Sequence, residues 1–462
     1  MKTTTNTEVQ NATFLELGTQ PIGKLLMKYA MPAVIAMTAS SLYNIVDAIF
    51  IGQGVGPLAI AGISLTFPVM QMTAAFGSMI GVGASTLLSV RLGEKDYDTA
   101  RRILGNVVVL NVIMGVVLGA LMLCFIDPIL YFFGATDLTL SYARDFMVVI
   151  LAGNVVTHLY FGLNAMLRAA SQPKAAMMAT IYTVVLNVVL CPLFIYVCGW
   201  GITGAALATM LSQTVVLLWQ FKLFSNKREF IRFQRGIYKL KRRIVKDSFL
   251  IGLSPFLINL TGCMVAAIIN KSLLVYGDDL DVASYGICNR YAFFFLMIVM
   301  GLNQGMQPIV GYNYGAKNNE RVRAALVKTI VWATIVVTAG FVVGLLAPRQ
   351  IIAAFTTDPY LIDISAHNLF ILICTFPIIG FTIVVTNFFQ CIGVVKKSIF
   401  LSLSRQLIFL IPAVIMLPKF MGVDGVMWSF PVSDVVATLT AAVLFWQEMK
   451  KSKKELPLSP ES

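Results

Sequence analysis

Long apolar stretches recur along the whole chain, each separated from the next by a short polar segment. A transmembrane helix needs roughly 20 predominantly apolar residues, and twelve stretches meet that requirement. Their predicted positions are 30–52, 58–86, 104–126, 142–166, 175–198, 203–223, 248–275, 284–310, 326–347, 362–388, 398–418 and 424–446. Among the prolines inside these stretches, Pro32, Pro68, Pro308 and Pro377 are predicted to kink their helices. The pattern predicts an all-α integral membrane protein with twelve transmembrane helices.

The two halves of the chain repeat one another. GEKDYDTARRI from Gly93 matches GAKNNERVRAA from Gly315, and WGITGAAL matches MGVDGVMW, at offsets of 221 to 222 residues. We therefore expect two six-helix repeats, an N-lobe and a C-lobe, around a central cavity. The predicted boundaries are an N-terminal tail at 1–20, the N-lobe at 21–224, a basic connector at 225–247, the C-lobe at 248–447 and a C-terminal tail at 448–462.

The positive charges mark one side of the membrane. Only 12% of the residues are charged, the net charge is +13, and ten Lys and Arg lie between Lys222 and Lys246. Cations concentrate in alternate polar segments, including both tails and the connector, so the positive-inside rule predicts cytoplasmic termini. We interpret the basic connector as a segment attracted to lipid headgroups, and not as a nucleic-acid site.

Several kinds of chemistry lack the residues they need. The seven cysteines form no CxxC pair, and the two histidines are His158 and His367. No GxxxxGK[ST] loop is present, so the chain carries no ATPase motor. We expect neither an enzyme, nor a cofactor, nor a metal site beyond a possible Na⁺ ion.

Two carboxylates fall well inside predicted spans, Asp47 and Asp434. A carboxylate at mid-bilayer costs roughly 2.5–3.5 kcal/mol on insertion scales, so each requires an explanation. The repeat partner of Asp47 is the neutral Asn270, and this asymmetry predicts one proton or cation site in the N-lobe. The alternative is a carboxylate that only hydrogen-bonds neighbouring helices.

Other polar residues inside the spans are secondary candidates. Asn44, Asn164 and Asn187 are predicted to assist Asp47, or else to join helices by hydrogen bonds. Asp434 has a possible ion-pair partner in Arg405, with a structural role or a role in transport. A polar stripe that could line the C-lobe cavity, or serve a structural role, consists of Asn303, Gln304 and Gln307.

These residues resemble the multidrug and toxic compound extrusion (MATE) family over roughly residues 20–447. The strings that carry the resemblance are MPAVIAMTASSLYNIVDAIFIG, LNAMLRAASQPK, LNVVLCPLFIY, GLNQGMQPIVGYNYGAKN and FFQCIGVVKKSIFLSLSRQLIFLIPAVIMLP. YNIVD is most similar to the bacterial DinF-like and MepA-like branch. The resemblance implies that Asp47 is the central cation or protonation site, that Asn164 and Asn187 assist it, and that the first helix bends at Pro32.

One position departs from the family pattern. The family string LNxxxDP has an aspartate where this chain has Cys191. The resemblance implies a site with two carboxylates, whereas here only Asp47 remains. Because a proton needs one carboxylate and a bare Na⁺ is less well neutralised by one, this departure favours proton coupling over Na⁺ coupling.

The function that the resemblance implies is secondary active export of drugs across the bacterial cytoplasmic (inner) membrane. A cationic or amphipathic compound would leave in exchange for H⁺ or Na⁺ by alternating access, and we expect a monomer surrounded by membrane lipids. One alternative is a lipid-linked oligosaccharide flippase of a related fold. A membrane-embedded enzyme is disfavoured by the lack of a His or acidic cluster.

Overall fold

In a computed structural model, residues 15–55, 57–133, 135–227, 229–356 and 358–454 are described, and none of these residues forms a β-strand. Ten helices are long and apolar enough to cross a membrane, and two bent helix pairs supply one further span each. The total of twelve confirms the predicted all-α membrane fold.

The twelve spans are numbered α1 to α12 in chain order. Those of the N-lobe are α1 Ile22–Gly54, α2 Pro57–Gly93, α3 Tyr97–Cys124, α4 with its two parts Asp137–Ala152 and Asn154–Ala169, α5 Pro173–Pro192 with a π-helical continuation Leu193–Val197, and α6 Gly201–Phe224. Those of the C-lobe are α7 Arg242–Tyr276, α8 Asp279–Gly315, α9 Asn319–Leu346, α10 with its two parts Pro359–Ile373 and Phe376–Cys391, α11 with Val395–Leu403, π-helical Ser404–Leu410 and Ile411–Met416, and α12 Val423–Lys454. Short helices follow α3, α9 and α11, at Ile126–Phe132, Pro348–Ala353 and Pro418–Met421.

Several spans extend beyond their predicted ends. α1 begins at Ile22 instead of residue 30, α7 begins at Arg242 inside the predicted connector, and α12 continues to Lys454. Hydropathy detects only the part of a helix in hydrocarbon, whereas backbone hydrogen bonding continues into the polar headgroup region. The number of spans was therefore predicted correctly, but several spans were predicted too short.

The prolines have different effects on their helices. Pro32 and Pro68 lie inside helices that continue through them. Pro377 lies next to a break of 50° in α10. Membrane helices tolerate proline because neighbouring groups satisfy the freed carbonyl. The bend of α1 at Pro32 stays a prediction.

The two lobes share backbone details at equivalent positions. α4 bends by 57° beside Gly153, and α10 bends by 50° beside Thr375. Lys95 and Lys317 both adopt left-handed conformations, with φ of 61° and 57°. Such agreement in unusual conformations confirms that the lobes are versions of one six-helix unit.

The connector is folded against the N-lobe. Asn106 of α3 donates hydrogen bonds to the carbonyl oxygens of Ile237 and Lys239 and accepts one from the backbone N–H of Lys241. An added Cβ at Gly105 would lie 2.4 Å from the Ile237 carbonyl oxygen. The connector segment just before α7 is therefore attached to α3 through three hydrogen bonds.

The lobes meet closely on the face that carries the connector, which we call the terminal face. A Cβ added at Gly83 of α2 would lie 1.9 Å from the carbonyl oxygen of Ser248, and one at Gly252 of α7 would lie 1.9 Å from that of Met79. In the equivalent pair of helices, a Cβ at Gly305 of α8 would lie 2.4 Å from the Cα of Ala30. These distances leave no room for a side chain.

A third close contact between the lobes involves two glycines at equivalent positions of the repeat. A Cβ at Gly93 would lie 1.9 Å from the carbonyl oxygen of Tyr312, and one at Gly315 would lie 2.0 Å from that of Val90. Gly93 and Gly315 end α2 and α8, so the contact is reciprocal. We call the set of Gly83, Gly93, Gly252, Gly305 and Gly315 the glycine seam. It closes the terminal face of the structure.

Gly252→Ala tests the seam, with Gly262→Ala on the same helix as its control. Both substitutions raise helix propensity equally, but a Cβ at Gly262 meets nothing within 4 Å. Overpacking costs about 1–3 kcal/mol, so Gly252→Ala should melt at a clearly lower temperature in a detergent-solubilised thermal unfolding experiment. Equal midpoints for the two variants would show that the seam does not constrain the lobes.

Candidate functional site

Asp47 lies in the N-lobe, where α1 faces α5. The thiol of Cys191 donates a hydrogen bond to Asp47 Oδ1 with a distance of 3.2 Å. Cys191 is fully buried. Cys191, which stands where the sequence resemblance implies a second aspartate, is thus the direct partner of Asp47 and an uncharged donor.

A second polar layer lies one helical turn away. Asn187 Nδ2 donates to the hydroxyl of Thr209 at 2.9 Å and to that of Tyr43 at 3.2 Å, and these two hydroxyls are 3.2 Å apart. Tyr43 precedes Asp47 by four residues, and Asn187 precedes Cys191 by four. Residues four apart share a helix face. Asp47 and Cys191 therefore form one contact layer between α1 and α5, and Tyr43 and Asn187 form a second. Thr209 of α6 hydrogen-bonds to the second layer.

The π-helical continuation of α5 follows this cluster directly. Pro192 and the segment Leu193–Val197 come immediately after Cys191. In this segment Tyr196 donates its hydroxyl to the carbonyl oxygen of Phe50 at 3.0 Å. α1 and α5 therefore remain in contact beyond the carboxylate. A local π-helical change of pitch is frequent at functional sites.

The other predicted members of the N-lobe site are placed differently. Asn164 donates to the carbonyl oxygen of Ala176 at 3.0 Å and accepts from Arg168, so its described contacts join α4 to α5 without reaching Asp47. The side chain of Asn44 lies outside the described residues. Asn187 contacts Tyr43, which lies one helical turn before Asp47 on α1. The roles of all three stay predictions.

Sequence reasoning missed Tyr43 and Thr209. The spacing of four between Tyr43 and Asp47 was a usable signal, because it places both side chains on one helix face. Thr209 carries no such signal, since its partners lie on two other helices. Among the described residues, no group of three or more His, Cys, Asp and Glu side chains is arranged to hold a metal ion.

The C-lobe contains an ion pair between α11 and α12. Arg405 Nε donates to Asp434 Oδ1 at 2.8 Å, and the hydroxyl of Thr375 donates to Asp434 Oδ2 at 3.1 Å. The Asp434 side chain is 4% exposed, whereas that of Arg405 is 28% exposed. The sequence-based pairing of these residues is confirmed, and Thr375, at the break in α10, is an additional partner.

The polar stripe of α8 points towards the N-lobe. Gln307 donates to Ser85 Oγ at 3.0 Å and to Thr86 Oγ1 at 2.6 Å on α2. Gln304 contacts Met37 of α1, and Asn303 is buried. Packing of α8 on α1 and α2 turns Gln304 and Gln307 to the lobe interface, and the choice between a cavity lining and a structural role stays a prediction.

Comparison with known proteins identifies the family. The MatE family model matches residues 32–193 and again residues 255–415. The two matches recur at the spacing of the internal repeat and together cover more than half of the chain. This chain belongs to the MatE family. It is therefore a transporter of the MATE multidrug efflux type, and not a catalytic protein.

Relatives of this MatE protein agree in name and in structure. Multidrug export protein MepA of Staphylococcus haemolyticus (strain JCSC1435) is 27% identical over 425 residues, 92% of this chain and 93% of the relative. A crystal structure of MATE in the bent conformation matches with a TM-score of 0.91 and 26% identity, covering 96% of this chain and 98% of that one. A MATE transporter in an outward-facing conformation matches with a TM-score of 0.89 and 26% identity, covering 95% and 98%.

The ion pair of the C-lobe can be tested by charge removal. Arg405→Gln leaves the buried Asp434 without its cation, and such a change costs about 3–5 kcal/mol in buried pairs. The double variant Arg405→Gln/Asp434→Asn removes both charges and should recover most of the loss in thermal unfolding midpoint. A double variant as unstable as the single one would contradict a stabilising ion pair.

Proposed function

We propose that this MatE protein is a secondary active multidrug exporter that exchanges a cationic or amphipathic drug for a proton by alternating access. The observation that carries the proposal is the Asp47 carboxylate, half-buried in the N-lobe and hydrogen-bonded to the Cys191 thiol. The name of its relatives, multidrug export protein, supports the same activity. An isolated carboxylate inside a membrane is a site for reversible charge neutralisation.

Coupling follows from what protonation does to the contact between α1 and α5. The charged carboxylate accepts the Cys191 hydrogen bond, whereas the neutral carboxyl group accepts it more weakly and gains a proton to donate. The layer of Tyr43, Asn187 and Thr209 lies on the same two helices, so a change at Asp47 reaches it directly. Drug export requires that proton and drug prefer different conformations, and such a shift in helix packing supplies that difference.

The direction of transport follows from orientation. We propose that the terminal face is cytoplasmic, because it carries the basic connector and the cation-rich loops. The glycine seam then closes the cytoplasmic side, and the structure corresponds to the state that releases drug outside. In the opposite state the seam opens and drug enters between the lobes. A protein of the same fold with a TM-score of 0.89 has been described as outward-facing.

Proton coupling is favoured over Na⁺ coupling by the donor set. Hard cations prefer several oxygen ligands, but the described partner of Asp47 is a thiol hydrogen. The nearest layer directs the Asn187 amide N–H groups, not its carbonyl oxygen, into its hydrogen bonds. A lipid-linked oligosaccharide flippase, the alternative function, receives no support from relatives named for multidrug export.

Asp47→Asn should abolish pH-gradient-driven export of a fluorescent cationic dye from energised vesicles, because the amide cannot take up a proton. Asp137→Asn, the same change at an exposed position outside the N-lobe cluster, serves as the control and should export at the wild-type rate. Both variants are compared at equal amounts of protein in the membrane. Undiminished export by Asp47→Asn would refute the assignment of the coupling site.

Cys191→Asp tests the choice of ion. Two carboxylates in contact neutralise a bare cation better than one, so dye export by this variant should respond to an imposed Na⁺ gradient, while the wild type responds to the pH gradient alone. Cys191→Ser keeps a neutral donor and should retain the wild-type response. Export driven by Na⁺ in the wild type would reverse the proposed ion preference.

A further inference from the structure

The Arg405 and Asp434 pair lies within the predicted spans of α11 and α12. Arg405 follows Ser398, where the predicted span 398–418 begins, by seven residues, about 10 Å at 1.5 Å per residue. This is about a third of the hydrocarbon thickness. A guanidinium group exposed to lipid at that depth is strongly disfavoured. We therefore expect the 28% of the Arg405 side chain that is exposed to face the helix bundle or water, and not lipid.

The geometry of the pair leaves one edge of the guanidinium group unused. Two parallel hydrogen bonds to one carboxylate are the usual geometry of a strong Arg–Asp pair. Here the described bond to Asp434 uses Nε, and the second carboxylate oxygen is occupied by Thr375. The Nη1 and Nη2 groups form no described hydrogen bond, and neither is a buried unsatisfied atom. Both carboxylate oxygens of Asp434 accept a hydrogen bond, whereas the Nη1 and Nη2 groups of Arg405, which we call the guanidinium fork, remain available to a ligand.

The neighbouring residue adds a second donor. Gln406 accepts a hydrogen bond from Thr261 of α7 through its amide oxygen, an arrangement that leaves the amide N–H groups at the other end. Both residues belong to the π-helical segment Ser404–Leu410, which packs on α7 and α12. π-helical turns are frequent at binding sites.

We propose that Arg405, assisted by Gln406, binds the carboxylate group of zwitterionic substrates in the C-lobe. The inference rests on the proposed export function and names a substrate class for it. The guanidinium fork matches a planar carboxylate. Because Asp434 already neutralises Arg405, an anion alone would leave a net negative charge in the membrane interior. A ligand that carries its own cationic group avoids that cost.

A matched pair of dyes separates this recognition from general drug binding. Rhodamine 110 carries a free carboxylate, and rhodamine 123 is its methyl ester. We would measure the dissociation constants of both dyes by fluorescence polarisation with the full-length protein in lipid nanodiscs. The proteins are the wild type, Arg405→Lys and the double variant Arg405→Gln/Asp434→Asn. Arg405→Lys keeps the charge beside Asp434 but lacks the fork.

The expected result is a change in the ratio of the two constants. In both variants rhodamine 110 should lose about tenfold in affinity relative to rhodamine 123, as expected for the loss of a charge-assisted hydrogen bond. An unchanged ratio, with both dyes weakened equally or not at all, would overturn the inference. So would a wild-type protein that binds only the ester.

Transport separates the failure of this inference from failure of the proposed function. Wild-type vesicles that fail to export rhodamine 123 under either ion gradient would count against the exporter assignment. The binding ratio in nanodiscs would still decide whether Arg405 recognises a carboxylate. Export of the ester together with an unchanged ratio would leave the exporter intact and reject the carboxylate site.

Discussion

The need to satisfy every polar group inside the hydrocarbon layer governs the architecture of this protein. Backbone groups are satisfied within twelve helices, so only side chains remain to be explained at mid-membrane. The two lobes satisfy their carboxylates differently. The N-lobe gives Asp47 a neutral thiol partner, which leaves the carboxylate free to gain a proton. The C-lobe gives Asp434 a cation and a hydroxyl as hydrogen-bond partners.

This difference suits the two lobes to different parts of the proposed transport cycle. In that proposal Asp47, whose described partner is a neutral thiol, takes up the proton, whereas Asp434 stays paired with Arg405. The same cation offers its unused fork to a ligand. One lobe is therefore suited to take up the driving ion, and the other to recognise the compound that is carried. The packing of α2 on α7 and of α1 on α8 places both lobes against one interface.

Sequence alone was sufficient for the parts of this structure that depend on hydropathy and on local spacing. It predicted the span number, the repeat, the isolated Asp47 and the pairing of Arg405 with Asp434. It did not predict the direction of Gln307, the docking of the connector on Asn106 or the glycine seam. These features depend on which faces of distant helices meet. Glycine scarcely alters a hydropathy profile, whether it contacts a carbonyl, as Gly252 does, or open space, as Gly262 does.

The reciprocal contact of Gly93 with Tyr312 and of Gly315 with Val90 has the form of an isologous interface within one polypeptide. In an isologous interface each partner offers the same patch, so a change in the patch affects two places at once. Here the patch is encoded twice and each copy can vary separately. The chain can therefore alter Asp47 or Arg405 independently of its repeat partner, a freedom that two identical subunits lack, while the shared surface where the halves close remains matched.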